Sequence, residues 1–175
     1  PTIQLAGEMP NDRAVLNSLR GLKLPIGIQL SPRDFQMPGA PRHYRYGIHQ
    51  GADLYWAVNS PIVAMFNGTV IRAMHDYNPQ LEQFDILREE LREVGYTPEE
   101  TADFYRGRQV WIQADNGLIT RYAHLSEIDT AIQEGARIEQ SQLIGYIGNS
   151  GSPSSRANDE DDAHIHFELW TENGY

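Results

Sequence analysis

The sequence contains no cysteine, and this absence removes several classes of chemistry. A chain without thiols has no cysteine nucleophile, no cysteine-ligated zinc site and no iron–sulfur cluster. Any metal site must therefore use histidine and carboxylate ligands, and the sequence has six histidines. Long apolar runs are also missing, because no stretch approaches the roughly 20 residues that span a bilayer. We therefore expect no membrane span.

Basic residues are scarce as well. Fourteen Lys and Arg stand against 24 Asp and Glu, which leaves a formal net charge of -10. Binding to a phosphate backbone depends on clustered cations, so we expect no nucleic-acid partner. The chain begins at Pro1 without a basic and then apolar leader, so we expect it to be either cytosolic or already processed.

The length of 175 residues fits one domain, or one domain with an insertion. Residues 1–45 are rich in proline, and we interpret them as an N-terminal lead-in segment. Within this segment, apolar residues at helical spacing predict one short helix at residues 11–22. We expect the domain itself to cover residues 46–175.

Short β-type runs separated by turn residues dominate the predicted domain. The pairs Asn67-Gly68 and Asn116-Gly117 each stand between apolar runs, a pattern typical of β-hairpins. Further short strands are expected in the segments ARIEQSQLIGYIGNSG and HIHFELW. The pattern predicts an all-β core, built as an antiparallel sheet or sandwich.

One segment, roughly residues 78–106, breaks this β-type pattern. Apolar residues at helical spacing predict a helix that ends at Gly95, and the letters TPEE at 97–100 are typical of a capping box before a second helix. We therefore expect a helical insertion between two strands. Two interpretations remain open: a solvated, acidic surface insert, or a wall of a substrate groove.

The segment HIHFEL at residues 164–169 is the strongest local pattern. Successive side chains of a strand point to opposite faces, so His164, His166 and Glu168 share one face. Two imidazoles side by side suit metal binding or paired acid–base work. Taken alone, a His-x-His pair on a strand is more often a surface pair.

Two further motifs contain histidine. In GIHQGADLY, a straight strand would separate His49 from Asp53 by ~13 Å, so the chain must curve near Gly51 if both residues are to reach one ion. In RYAHLS, His124 follows an apolar strand and precedes a loop. Each motif alone also fits an ordinary turn residue or a structural histidine.

Together, the order and linkage of these motifs resemble the lysostaphin-type, or LytM-like, zinc metallopeptidases. The likeness covers roughly residues 44–76 and 108–170 and includes GIHQGADLY, NGLITRYAHLSEI and HIHFEL in that order. The resemblance implies five site residues: the ligands of one Zn²⁺ per chain, His49, Asp53 and His166, and two catalytic histidines that are not ligands, His124 and His164.

The chemistry of this residue set agrees with the implied roles. Two histidines and one carboxylate leave the fourth tetrahedral position of a zinc ion open to water. Bound zinc brings the pKa of that water toward ~7, and two further imidazoles can move its proton and hydrogen-bond the developing oxyanion. Glu168 faces the same way, so we expect it to hold a ligand ring by a hydrogen bond.

The resemblance implies an endopeptidase that cleaves the cross-links or stem peptides of peptidoglycan, at an extracytoplasmic location. Two alternatives remain open: a non-catalytic module that binds the wall or activates another hydrolase, and a metallopeptidase that acts on protein substrates. The sequence departs from the family pattern in the helical insertion, in the segment GSPSSRANDEDDA before His164, and at Ser141, where the family commonly has glycine. These departures bear on the choice of substrate, not on the metal site.

Overall fold

The computed structural model describes residues 33–152, 154–155 and 162–171, together with Gly21, Lys23 and Pro25. The helix predicted at residues 11–22 lies outside these ranges. The strands and α-helices of the described residues are β1 (Pro41–Arg42), β2 (Gly47–Ile48), β3 (Ala52–Tyr55), β4 (Pro61–Val63), β5 (Gly68–Ala73), α1 (Leu81–Val94), α2 (Glu99–Arg106), β6 (Val110–Ala114), β7 (Ile119–Ala123), β8 (Leu125–Ile128), β9 (Arg137–Ile138), β10 (Leu143–Ile147) and β11 (His164–Trp170). Neither of these two helices combines the length and the apolar character that crossing a membrane requires.

The strands form three antiparallel sheets. The largest has six strands in the order β3-β11-β7-β6-β5-β9, a second has the order β4-β10-β8, and β1 and β2 form a short ribbon. Buried aliphatic side chains from the two larger sheets share one core, among them Leu54, Val70, Ile112 and Ile165 from the first and Ile62, Ile128 and Ile144 from the second. Each such side chain stabilises the folded state by about 1.5–3 kcal/mol through burial. The predicted all-β core is confirmed.

The two predicted hairpins have different outcomes. Strands β6 and β7 pair around Asn116-Gly117, so this hairpin is confirmed. The hairpin at Asn67-Gly68 is wrong, because β4 pairs with β10 whereas β5 pairs with β6 and β9. Between β4 and β5, the Met65 amide donates to the buried Tyr122 hydroxyl at 3.0 Å, and the chain passes from one sheet to the other. Long-range pairing therefore outweighs the local turn preference.

The helical insertion is confirmed, because α1 and α2 connect β5 and β6, which pair with each other. Helix α1 ends at Gly95 with a left-handed φ of 74°. The capping box predicted at 97–100 is wrong: α2 has no side-chain cap, and the Thr97 hydroxyl donates instead to the Arg45 carbonyl. The two helices share a small cluster of apolar side chains, Phe84, Leu91, Phe104 and Tyr105.

Candidate metal centre

The sheet brings two of the predicted ligands together by strand pairing. Asp53 on β3 and His166 on β11 are direct cross-strand partners, so their side chains emerge side by side on one face. His49 reaches the same point from the link before β3. Gly51 lies in that link, and a Cβ there would clash with the Phe167 carbonyl of β11. Glycine is therefore required for close approach between the two chain segments.

The three predicted ligands converge on one point. His49 Nε2, Asp53 Oδ1 and His166 Nδ1 lie 2.9 Å from one another. They are the His/Asp group among the described residues that could hold a metal ion. Zinc ligands lie roughly 2.0–2.2 Å from the ion, so a single ion can reach three donor atoms at this spacing.

The far nitrogen of each ligand ring has a partner that sets its tautomer. His49 Nδ1 lies 2.9 Å from the Met37 carbonyl oxygen, and His166 Nε2 lies 3.0 Å from a carboxylate oxygen of Glu168. These acceptors require a proton on the nitrogen that faces them, which leaves the lone pair on the nitrogen that faces Asp53. Three acceptor atoms at 2.9 Å repel one another unless a cation lies between them. The donor set therefore fits a metal ion.

Burial and the neighbouring groups shift the pKa of each of the three predicted ligands. Burial lowers the pKa of His49, so its ring stays neutral. Burial opposes the ionisation of Asp53, but the adjacent His166 and His49 rings outweigh it and hold the Asp53 pKa below its ordinary value. Burial also disfavours a charge on His166, yet the Asp53 and Glu168 carboxylates raise its pKa. Two carboxylates thus favour positive charge at this point.

The two remaining predicted histidines lie beside the ligands. His124 directly follows β7, whose last residue pairs with His166, and its left-handed φ of 62° ends the strand there. The ring centroid of His124 is 4.7 Å from that of His164 and 5.7 Å from that of His166. His164 Nε2 is 3.8 Å from Asp53 Oδ1. All five residues implied by the resemblance therefore lie within one cluster.

Backbone carbonyls set the tautomers of both histidines. His124 Nδ1 donates to the Ser150 carbonyl at 2.7 Å, and His164 Nδ1 donates to the Asp162 carbonyl at 2.6 Å. The lone pair of each ring is therefore on Nε2. Burial, together with the neighbouring His164 and His166, lowers the pKa of His124 well below its ordinary value. The His124 ring is consequently uncharged at neutral pH, with its single proton on Nδ1.

Glu168 lies behind the ligands as a fully buried carboxylate. It accepts hydrogen bonds from His166 Nε2 at 3.0 Å, Arg106 Nε at 2.7 Å, Arg121 Nη1 at 3.2 Å and Trp170 Nε1 at 2.6 Å. Burial opposes its ionisation, but the contacts with His166 and Arg106 outweigh burial and lower the Glu168 pKa. Glu168 thus stays charged and accepts a hydrogen bond from Nε2–H of His166, a predicted ligand ring.

A cleft of about 560 Å³ opens in front of the five residues. Helix α2 contributes Ala102, Tyr105 and Arg106 to its lining, together with aromatic and basic residues of the segment 35–45. The insertion therefore lines the cleft; that this cleft is a substrate groove, as in the second of the two interpretations, stays a prediction. Of the acidic segment before His164, the described residue Asp162 also lines the cleft.

Comparison with known proteins identifies the larger part of this domain. Residues 92–175 match the sequence profile of peptidase family M23. The chain is similar to family M23 over this part. The matched segment contains His124, His164 and His166, whereas His49 and Asp53 precede it. The resemblance recognised in the sequence is confirmed.

Individual relatives agree with this family. The peptidoglycan DD-endopeptidase ShyA of Vibrio cholerae serotype O1 is 37% identical over 65 residues, which cover 37% of this chain and 13% of ShyA. The LytU structure is 22% identical with a TM-score of 0.51, over 82% of this chain and 78% of LytU. Helicobacter pylori Csd3 is 21% identical with a TM-score of 0.51, over 88% of this chain and 31% of Csd3. These structures share the fold of the M23 domain, and the chain spans only a fraction of ShyA and Csd3.

Arg42, Tyr55 and Arg106 are among the residues at the site that were not predicted from the sequence. Arg42 donates to Asp53 Oδ2 at 2.9 Å, and the Tyr55 ring stacks on His164 with centroids 4.7 Å apart. Arg106 contacts Glu168. Strand alternation could have indicated Tyr55, since it stands two residues after Asp53 on the same face. No sequence pattern indicates the two arginines: Arg42 stands 11 residues before Asp53, and Arg106 stands 62 residues before Glu168.

Proposed function

We propose that this protein is a zinc-dependent endopeptidase that hydrolyses peptide bonds in peptidoglycan cross-links or stem peptides, at an extracytoplasmic location. The observation that supports it most strongly is the convergence of His49 Nε2, Asp53 Oδ1 and His166 Nδ1 at 2.9 Å. The match of residues 92–175 to family M23 supports a peptidase, and the relative ShyA, named a peptidoglycan DD-endopeptidase, supports this class of substrate.

In this proposal, His49, Asp53 and His166 hold one zinc ion. When bound, zinc supplies a Lewis acid that acidifies water and polarises a carbonyl oxygen. Glu168 keeps the His166 ring in the tautomer that presents Nδ1 to the ion. Arg42 bonds the other oxygen of Asp53 and so restricts rotation of that carboxylate.

His124 and His164 are the proposed proton-transfer groups. Both rings carry their proton on Nδ1 and keep a lone pair on Nε2, beside the ligand cluster. One of the two accepts a proton from water at its Nε2 lone pair, and the other, once its Nε2 also carries a proton, donates a hydrogen bond to the oxyanion that develops on the substrate carbonyl. The depressed pKa of His124 keeps that ring in the state required to accept a proton.

Metal analysis and wall digestion test the proposal. We expect one zinc per wild-type chain and none in His49→Ala, and we expect wild-type protein to release peptides from purified sacculi. His75→Ala is the matched control, because His75 bonds the Ile132 carbonyl at 2.7 Å and does not line the cleft, so it retains zinc and activity. Zinc-loaded wild-type protein that leaves sacculi intact but cleaves unrelated peptides contradicts the proposed substrate. Hydrolysis that survives His124→Ala and His164→Ala contradicts the proposed histidine roles.

A further inference from the structure

We propose that Arg106, the last residue of the helical insertion, is a positioning residue for the metal centre. The inference rests on the zinc-dependent function proposed above. It concerns the part of the chain that departs from the family pattern, and it gives the insertion a role in the site beyond that of a wall. Arg106 lies at the end of α2 and is 3% exposed.

The side chain of Arg106 contacts the partners of the predicted ligands. Arg106 Nε donates to Glu168 Oε1 at 2.7 Å, and the same oxygen accepts from His166 Nε2 at 3.0 Å. Arg106 Nη2 also donates to the side chain of Gln50, the residue after His49, at 2.9 Å. Arg106 therefore fixes the carboxylate oxygen that orients one ligand ring, and it bonds the residue next to a second ligand.

The backbone at the end of α2 contacts the proposed catalytic histidine. The Arg106 carbonyl accepts the His124 amide at 2.9 Å. Gly107 follows with a left-handed φ of 68°, and a Cβ there would clash with the Ser150 carbonyl. That carbonyl in turn accepts a hydrogen bond from Nδ1–H of His124. The end of the insertion therefore holds both the main chain of His124 and the group that orients its ring.

A second arginine provides a comparison on the same carboxylate. Arg121 donates to Glu168 Oε2 at 3.2 Å, away from the oxygen that bonds His166. Its guanidinium lies 3.7 Å and 4.1 Å from the ring centroids of Trp111 and Trp170, which hold it in place independently. Glu168 thus keeps a counter-charge when Arg106 is removed, but the oxygen that orients His166 loses its other donor.

Zinc affinity, measured by competition with a chelator, tests this role without relying on activity. We expect Arg106→Gln to bind zinc about 10–100-fold more weakly than wild type, and Arg106→Lys to recover part of the loss. Arg72→Gln is the matched control, because Arg72 anchors α2 through Asp103 at 2.5 Å without contacting Glu168. It should bind zinc within about threefold of wild type, because the ion pair of Arg72 is with Asp103 and not with Glu168 or a predicted ligand.

A double variant separates positioning from folding. In Arg106→Gln with Glu168→Gln, the buried pair is neutral, and zinc affinity should be no weaker than in Glu168→Gln alone, because Glu168 is the contact through which Arg106 orients the His166 ring. Equal zinc affinity in Arg106→Gln and wild type overturns the inference while the proposed function stands. Equal losses in Arg106→Gln and Arg72→Gln also overturn it, since the insertion then acts through folding. A wild-type protein that binds no zinc overturns the proposed function and this inference together.

Discussion

The two larger sheets and the helical insertion meet at the same cleft, yet different interactions hold each of them. The sheets share a continuous buried core of mostly branched aliphatic side chains. The insertion has only a small cluster of its own around Phe84, Leu91 and Tyr105. Its other attachments include two ion pairs, Arg72 with Asp103 and Arg106 with Glu168. The sheets are therefore ordered by apolar burial, whereas the order of the insertion depends more on polar contacts with the sheets.

This difference matters for the site because the two regions contribute to it unequally. The predicted ligands lie on β3, on β11 and on the link before β3, all in the sheet region. The insertion contributes lining residues and the contacts of Arg106 with Glu168 and His124. Changes in the sheet region should thus act on metal binding directly, and changes in the insertion should act through the groups that orient the ligands.

A pair of cavity-forming substitutions tests whether the two regions unfold separately. Ile144 in the sheet core and Leu91 in the insertion are both essentially inaccessible to solvent. Each substitution by alanine should cost about 2–5 kcal/mol. We expect Ile144→Ala to lower the free energy of global unfolding, measured by denaturant. We expect Leu91→Ala mainly to accelerate amide hydrogen exchange in α1 and α2, because the insertion can open as a unit of its own.

The rate of amide hydrogen exchange in β11 decides whether the insertion and the sheets unfold separately. Exchange in β11 should change in Ile144→Ala and stay near the wild-type rate in Leu91→Ala. If Leu91→Ala accelerates exchange equally in α1 and β11, the insertion and the sheets form one cooperative unit, and the distinction between them is wrong.

The pH dependence of zinc binding sharpens the comparison at the site. A proton and a metal ion compete for Nδ1 of His166. The two neighbouring carboxylates raise the pKa of His166, so protonation begins at higher pH than for an ordinary histidine. As the pH falls, zinc affinity should therefore start to weaken above the ordinary histidine value of 6.5. Glu168→Gln removes one carboxylate, lowers the His166 pKa and shifts this weakening to lower pH.

Affinity measured between about pH 5.5 and 8 checks this prediction, and each unit of pKa shift corresponds to a tenfold change in proton affinity. Glu89→Gln is the matched control in the insertion, because Glu89 is exposed on α1 and paired with Arg92. It should follow the wild-type profile. Identical profiles for wild type and Glu168→Gln would contradict a link between this carboxylate and the ligand ring.

Local patterns predicted the fold well where local interactions decide it. Alternation in HIHFELW predicted the shared face of β11, and helical spacing predicted α1 with its end at Gly95. The hairpin at Asn67-Gly68 failed because β4 finds its partner in β10, far along the chain. The capping box failed because the Thr97 hydroxyl bonds the Arg45 carbonyl instead of its own helix. Distant partners were decisive in both failures.

The site likewise contains residues that local motifs indicate and residues that only distant contacts bring in. Its histidines and Asp53 stand in motifs that the resemblance could identify, and their roles stay predictions until metal and activity are measured. Arg42 and Arg106 have no motif, since they contact Asp53 and Glu168 from 11 and 62 residues away in the chain. Burial and charge compensation select these arginines only after the chain has folded.

The smallest predicted effects come from two positions with the same backbone conformation, one in each region. Ser141, in the turn before β10, has a φ of 71°, and Gly95, after α1, has a φ of 74°. Left-handed backbone costs a residue with a side chain roughly 1–2 kcal/mol, part of which the greater freedom of unfolded glycine offsets. We expect Ser141→Gly to raise the free energy of global unfolding by about 0.5–1 kcal/mol. Ser141→Ala is its control, because it also removes the hydroxyl that accepts from Lys23 but keeps the strained backbone.

Gly95→Ala should introduce backbone strain similar in size to the strain that Ser141→Gly removes, so it should destabilise where Ser141→Gly stabilises. Apart from the neighbouring residues in the chain, no atom of the described residues lies within 4 Å of the added Cβ, so the backbone conformation determines the cost. If the insertion opens independently, Gly95→Ala accelerates amide exchange in α1 and leaves the denaturant midpoint unchanged, whereas Ser141→Gly moves that midpoint upward. A lowered midpoint in Gly95→Ala, equal in size to the gain in Ser141→Gly, would mean that polar contacts couple the insertion to the sheets as firmly as the apolar core couples the sheets to each other.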